Sequence, residues 1–244
     1  MTIRNKFIHQ TDCGNYQELS AFAAAYTKHI IRKEPEARLG LPTGGTPVLM
    51  YKLLKESNTD FSRCHTFNLD EYIGLPASDP RSYRAFMQDK LFSGINLPEE
   101  NIHFLNGMAQ DPESECRRYD EELNKFGPLS LQILGMGHNG HIGFNEPADS
   151  FLPNTHMQTL SPSTISANSR FFKDEKQVPK QALTMGVAPI MHAKRILLLI
   201  CGEEKCALLE KALNGPVTPR LPVSLLLLHP DVSIIKCQQA PDSL

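Results

Sequence analysis

The sequence predicts an α/β protein: a single-domain, three-layer Rossmann-like fold whose mostly parallel sheet is covered by helices on both faces. Two observations lead there. Short apolar runs bounded by turn residues, at 131–134, 195–201 and 232–237, alternate with longer segments of helical periodicity. That alternation is the pattern of parallel strands joined by crossover helices. Glycines and polar residues also gather just after the apolar runs, and in a parallel sheet every strand's carboxyl end opens on one edge. A chain of 244 residues can bury one sizeable core, and no repeat, low-complexity tract or linker divides it.

The elements follow in order. Over residues 16–33, Leu19, Phe22, Ala23, Tyr26 and Ile30 recur at helical spacing and give a first amphipathic helix. Residues 37–41 read as a strand, followed by the turn Pro42-Thr43-Gly44-Gly45-Thr46-Pro47 and a helix over 48–56, with Thr46 as its N-cap and Pro47 at its first position. Such a strand-to-helix turn presents free N–H groups and the positive end of a helix dipole, which suits an anion such as phosphate. Residues 64–69 form the next strand and deliver Asp70 and Glu71 to its exit. Adjacent residues on an extended chain point to opposite faces, so one of the two is a candidate base and the other needs a structural partner. Residues 79–94 and 111–127 look helical, the second with Asp111-Pro112 as a start and Gly127 as a stop. Residues 151–177 are rich in Ser, Thr, Asn and Pro, with positive charge only at Arg170, Lys173 and Lys176, and are expected to be a long loop serving as a lid. A short helix over 188–191 and the apolar strand 195–201 come next. The helix after that strand carries Lys205 in its first turn, where a cation is unfavourable unless an anion binds beside it.

The stretch Leu134-Gly135-Met136-Gly137-His138-Asn139-Gly140-His141-Ile142-Gly143-Phe144-Asn145-Glu146-Pro147 organises the rest. Its glycines fit a dinucleotide fingerprint literally, but Pro147 and the surrounding turn formers oppose the helix that fingerprint requires. No Asp or Glu occurs between residues 151 and 172 to hold a ribose. A nucleotide cofactor is therefore excluded, and no other cofactor is expected. Asn139, His141 and Glu146 stand together after a strand as hydrogen-bonding and titratable groups.

A net charge of -2 argues against nucleic-acid binding, while one local basic pocket still suffices for a small anion. Residues 1–10 lack the apolar core of a signal peptide, and the longest apolar runs are too short to span a membrane, so a cytoplasmic protein is expected. The six cysteines are scattered without a C-x-x-C pair, which favours reduced thiols over a zinc site or a disulfide framework.

The anion turn, Asp70, His141 with Glu146, and Lys205 all fall at carboxyl ends of strands, and Arg170 on the polar loop adds a second cation. Together they describe a pocket for a phosphorylated small molecule with acid–base chemistry at its other end. Reference pKa values of roughly 3.9 and 6.5 put Asp70 ionised at neutral pH and His141 near its midpoint, as a proton acceptor and a proton donor.

Four blocks, 41–47 (LPTGGTP), 67–72 (FNLDEY), 140–147 (GHIGFNEP) and 167–172 (ANSRFF), resemble the glucosamine-6-phosphate deaminase family in the same order along the chain. The resemblance implies conversion of glucosamine 6-phosphate and water to fructose 6-phosphate and ammonia. It makes Asp70 the base that moves a proton from C2 toward C1 and His141 the ring-opening acid–base group, supported by Asn139 and Glu146. The phosphate would be held by Thr43, Gly44, Gly45 and Thr46 with Arg170 and Lys205. Some members carry Asp where this chain has Asn139, which orients an imidazole but adds no charge. Allosteric hexameric members carry basic residues after the Asn-Glu-Pro segment and a longer tail. This chain has His156 and Gln158 there and ends at Leu244, so a monomer or small homo-oligomer is expected. The rival expectations are a 6-phosphogluconolactonase, in which the segment after the histidine resembles Ser-Leu-Phe-Pro, a galactosamine 6-phosphate deaminase, and a sugar-phosphate sensor domain.

Overall fold

The computed structural model describes residues 7–172 and 174–240. Lys173 lies outside the described residues. The chain runs β1 (Ile8–Asp12), α1 (Tyr16–Lys33), β2 (Arg38–Leu41), α2 (Val48–Lys55), β3 (His65–Asn68), β4 (Asp70–Tyr72), α3 (Tyr83–Lys90), β5 (Ile102–His103) and α4 (Pro112–Phe126). It continues through β6 (Leu131–Gly135), β7 (His156–Thr159), α5 (Pro162–Asn168), β8 (Gln181–Thr184), α6 (Val187–His192), β9 (Ile196–Cys201), α7 (Glu203–Asn214) and β10 (Val232–Cys237), with short 3-10 turns between.

Seven strands form one sheet in the order β1-β10-β9-β6-β2-β3-β5, and every pair in it is parallel. β4, β8 and β7 form a separate antiparallel sheet. After β2 the chain builds outward through β3 and β5, then returns to the other side of β2 with β6, β9 and β10. The order therefore reverses between β2 and β6, and in open parallel sheets ligands bind at the carboxyl ends beside such a switch point.

Burial explains why β9 is one continuous apolar run. Ile196, Leu198 and Ile200 pack into the core under α4, α6 and α7, while Leu197, Leu199 and Cys201 pack into the core under α1 and α2. A strand covered on both faces has no polar alternation to show. A third, smaller cluster of Tyr72, Leu75, Phe144, Leu160 and Ala182 joins the antiparallel sheet to the rim of the main one.

Helix ends follow local chemistry. Asn15 caps α1 by accepting from the Glu18 N–H at 2.8 Å. Asp111 caps α4 through the N–H groups of Glu113 and Ser114, and Gly127 ends it at φ +74°. The expected start of α2 moves: Pro47, not Thr46, occupies the cap position, and no side chain caps the helix. The helix expected over 79–94 contracts to α3 and a 3-10 turn at Phe92–Gly94, because Asp79, Arg81 and Ser82 close a turn on one another before Ser82 caps α3. The segment 151–177, expected as a loop, contains β7, α5 and 3-10 turns at Ser169–Phe171 and Glu175–Gln177. All six cysteines are free thiols. Among the described residues no helix is long and apolar enough to cross a membrane.

Candidate active site

A cleft of about 890 Å³, counted with its open mouth, lies where β2 and β6 part. The loop after β2, the exit of β3, the stretch after β6, α5 with its following turn, and the first turn of α7 wall it. Thr43, Gly44, Gly45, Thr46, Asp70, Asn139, His141, Arg170 and Lys205 all line it. Of the expected site residues only Glu146 does not; it is buried directly behind the histidine.

One corner is built for an anion. Gly44 sits at φ +91°, a conformation glycine adopts without strain, and this turns the loop back on itself. The Tyr16 hydroxyl, reaching over from α1, lies 3.2 Å from the Gly45 carbonyl and 3.1 Å from that of Thr46, and the Leu49 N–H donates to it. The Tyr51 hydroxyl donates to the Pro42 carbonyl. The loop's carbonyls are thus tied back, while no hydrogen bond among the described residues uses the N–H groups of Gly44, Gly45 or Thr46. The missing Thr46 cap has the same effect, since no side chain consumes those donors. Lys205 and Arg170 complete the corner. Burial, then the Arg170 charge, push the Lys205 ammonium below its usual pKa. Among the described residues neither cation has an acidic partner, so this corner holds positive charge that a bound anion would neutralise.

The other end carries titratable groups. β4 alternates as an extended chain must, and it separates two neighbouring carboxylates. Glu71 points inward and accepts from the N–H groups of Tyr72 at 2.8 Å and of Tyr83 and Arg84 at 2.9 Å, so it anchors the start of α3. Asp70 points to the cleft. It is 6% exposed, and no donor among the described residues is hydrogen-bonded to its carboxylate. Burial, reinforced by the Glu71 charge, pushes its pKa up to about 8. This corrects the expectation of an ordinarily ionised aspartate, because the groups that desolvate the carboxylate come from segments distant along the chain.

His141 is held in one form. Asn139 donates from Nδ2 to Glu146 Oε2 at 2.6 Å, which fixes the orientation of its amide. Its Oδ1 then lies 2.8 Å from His141 Nδ1 and can only accept, so Nδ1 carries a proton, and in the neutral ring the lone pair is on Nε2. Glu146 Oε2 is 3.6 Å from Nδ1. Burial alone would raise the Glu146 pKa; the imidazole, Thr164 and Asn139 outweigh it and hold the carboxyl at about 2. Gly137 is required beneath the ring, because a Cβ there would come within 2.1 Å of His141 Cε1.

Several residues of the site are not singled out by the sequence. Tyr16 does not line the cleft but ties its glycine loop from behind, at the start of the first amphipathic helix. Ser163, Thr164, Ala167 and Asn168 line the cleft from α5. The signal for that helix was Ser161-Pro162, an N-cap followed by proline at the first position, and it was obscured by the surrounding loop-like composition. Tyr83 and His138 also line the cleft, and burial followed by the Lys205 charge lowers the His138 pKa.

Comparison with known proteins bears on this geometry. The pattern describing glucosamine-6-phosphate isomerases/6-phosphogluconolactonase matches residues 14–234. A glucosamine-6-phosphate deaminase of Thermoanaerobacter pseudethanolicus is 49% identical, covering 93% of this chain and 91% of its own. That of Lachnoclostridium phytofermentans is 48% identical, covering 91% of this chain and 96% of its own. A solved structure of a monomeric glucosamine-6-phosphate deaminase superposes with a TM-score of 0.92 at 44% identity, covering 94% of this chain and 97% of that one. A 6-phosphogluconolactonase from Thermotoga maritima shares the fold, with a TM-score of 0.77 at 20% identity over 94% of this chain and 99% of that one.

Proposed function

The chain belongs to the glucosamine-6-phosphate isomerase/6-phosphogluconolactonase family, and from that premise we propose that it converts D-glucosamine 6-phosphate and water to D-fructose 6-phosphate and ammonia. The reading rests most heavily on Asp70, a buried carboxylate without a hydrogen-bond donor among the described residues, lining the same cleft as His141 and the cationic corner. A desolvated carboxylate with a pKa near 8 is a far stronger base than a solvated one, and abstraction of a carbon-bound proton needs that strength.

The phosphate is held by the amides of Gly44, Gly45 and Thr46, by the Thr43 and Thr46 hydroxyls, and by Arg170 and Lys205. Neutral His141 takes the O1 proton on Nε2 and returns a proton to the ring oxygen, opening the sugar to its aldehyde. Asn139 and Glu146 keep the imidazole oriented and stabilise it while it is charged. Asp70 then removes the C2 proton while the substrate's C2 ammonium gives one of its protons to O1, leaving a neutral enolamine, and Asp70 returns its proton to C1. The C=C bond becomes a C2 imine, and water attacks C2 to release ammonia and leave the ketone. Residues 151–177, which supply α5 and Arg170, act as a lid over the open sugar. A phosphorylated substrate does not cross membranes unaided, which supports action in the cytoplasm.

Ammonia release from glucosamine 6-phosphate and from its galactose epimer, with hydrolysis of 6-phosphogluconolactone as a third arm, tests this. Preferred turnover of the glucosamine compound is expected. Faster hydrolysis of the lactone would replace the reading with the hydrolase one.

A further inference from the structure

Glu146 divides its two oxygens between two parts of the fold. Oε2 faces the imidazole side, 2.6 Å from Asn139 Nδ2 and 3.6 Å from His141 Nδ1. Oε1 faces α5, accepting from the Ser161 N–H at 3.2 Å, lying 3.2 Å from the Ser161 hydroxyl and accepting from the Thr164 hydroxyl. Ser161 is also the N-cap of α5, accepting from the Thr164 N–H at 3.2 Å, and Thr164 Oγ1 stands 3.5 Å from His141 Nδ1. Glu146 is 8% exposed and Thr164 is 4% exposed, so water does not substitute freely for these donors. A carboxylate can pivot about its last bond. Donors that engage one oxygen stop that pivot and so aim the other.

Resting on the reading above, we propose that Ser161 and Thr164 are positioning residues for the reaction: by fixing Oε1 they aim Oε2, and through Asn139 they set the plane and protonated nitrogen of His141. The same helix runs into the turn that bears Arg170, so one short element carries both the phosphate cation and the brace of the imidazole. The charged and titratable groups facing His141 among the described residues are Glu146 behind it, His138 beside it, and Asp70, Tyr83, Arg170 and Lys205 around the cleft. Of these, Ser161 and Thr164 are hydrogen-bonded to Glu146 alone.

Thr164→Val keeps the shape of the side chain and removes its donor; Thr164→Ser keeps the donor. In Thr164→Val, kcat is expected to fall about 10–100-fold, the usual effect of losing an outer-shell partner. KM and the affinity for inorganic phosphate should stay within about twofold of wild type. Nitrogen NMR of the His141 ring should show its signals displaced from their wild-type positions, because a carboxylate no longer pinned at Oε1 lets Oε2 and the Asn139 amide move against the ring. Thr164→Ser should recover most of the lost turnover, and Ser161→Ala should shift the ring signals in the same direction as Thr164→Val. Wild-type ring signals in both donor-deleted variants would overturn the proposal, as would a serine variant impaired as badly as the valine one. If Thr164→Val fails to fold, Ser161→Ala carries the NMR comparison, and wild-type ring signals in it overturn the proposal. A wild-type chain that releases no ammonia, yet whose ring signals respond to these substitutions, would sink the functional reading and leave this one standing.

Discussion

Asp70 shows how a single side chain can be placed for chemistry at the expense of stability. Its carboxyl titrates near 8 because burial disfavours the anion and the adjacent Glu71 repels it. In the role proposed for it, a base, it must be ionised, so kcat/KM should rise with pH through an acid limb centred near 8. The kcat limb should lie lower, because a bound substrate brings its C2 ammonium beside the carboxylate and favours the anion. Asp70→Asn should lower turnover by roughly 10²–10⁴-fold with little change in substrate binding. The sign for stability is opposite. The folded pKa lies above the unfolded value of 3.8, so the folded state binds the proton more tightly and stability falls as pH rises from about 4 through about 8. Asp70→Asn should therefore melt higher than wild type at pH 9, with the gap closing toward pH 4. A variant that melts lower at pH 9 would show that the carboxylate is better solvated than its surroundings imply.

At the scale of elements, the glycine turn after β6 determines whether the imidazole can occupy its position. The Gly137 N–H donates to the His141 carbonyl at 3.0 Å, and the ring lies where a Gly137 Cβ would be, its Nε2 only 2.3 Å from that point. Gly137→Ala should push the ring off Asn139 and cut kcat by about 10²-fold or more, the effect of misplacing a catalytic group by about 1 Å. Phosphate affinity should stay near wild type, because the anion corner belongs to β2, α5 and α7. Loss of phosphate binding in that variant would mean that the two ends of the cleft are not independent. What could be read from the letters was whatever chemistry is local. α1, α4 and β10 were legible to the residue or nearly so, because their caps and apolar runs are self-contained. β1 was not: its outward residues are polar, and its hydrogen bonds come from β10, over 200 positions away. The antiparallel sheet was hidden for the same reason, since β4 pairs with β8 across more than 100 residues. Thr43, Gly44, Gly45, Thr46, Asp70, His141 and Lys205 are legible by their positions after strands. The titration of Asp70, the brace from α5 and the tie from Tyr16 are not, because each depends on segments meeting in space.

At the scale of the whole molecule, the switch point between β2 and β6 gathers the cleft from a single chain, with the anion corner, the base and the imidazole all contributed in cis. Cooperative regulation by a phosphorylated effector would require a second anion site linked to the first. The segment from 148 to 160 that runs behind Glu146 contains no Lys or Arg. The small hollow there is lined by Ser150, His156 and Gln158 with Glu146 itself, whose carboxylate repels an anion. One histidine beside a buried negative charge is a poor phosphate ligand at neutral pH. Initial rates should therefore follow a hyperbolic dependence on glucosamine 6-phosphate, with a second, unreactive sugar phosphate producing no activation. Light scattering during size exclusion should report the mass of one chain, or of a small oligomer, across the concentration range of the assay. Sigmoidal rates that such a sugar phosphate makes hyperbolic, or a six-chain mass, would show that a regulatory anion site is assembled between copies from cations elsewhere on the surface.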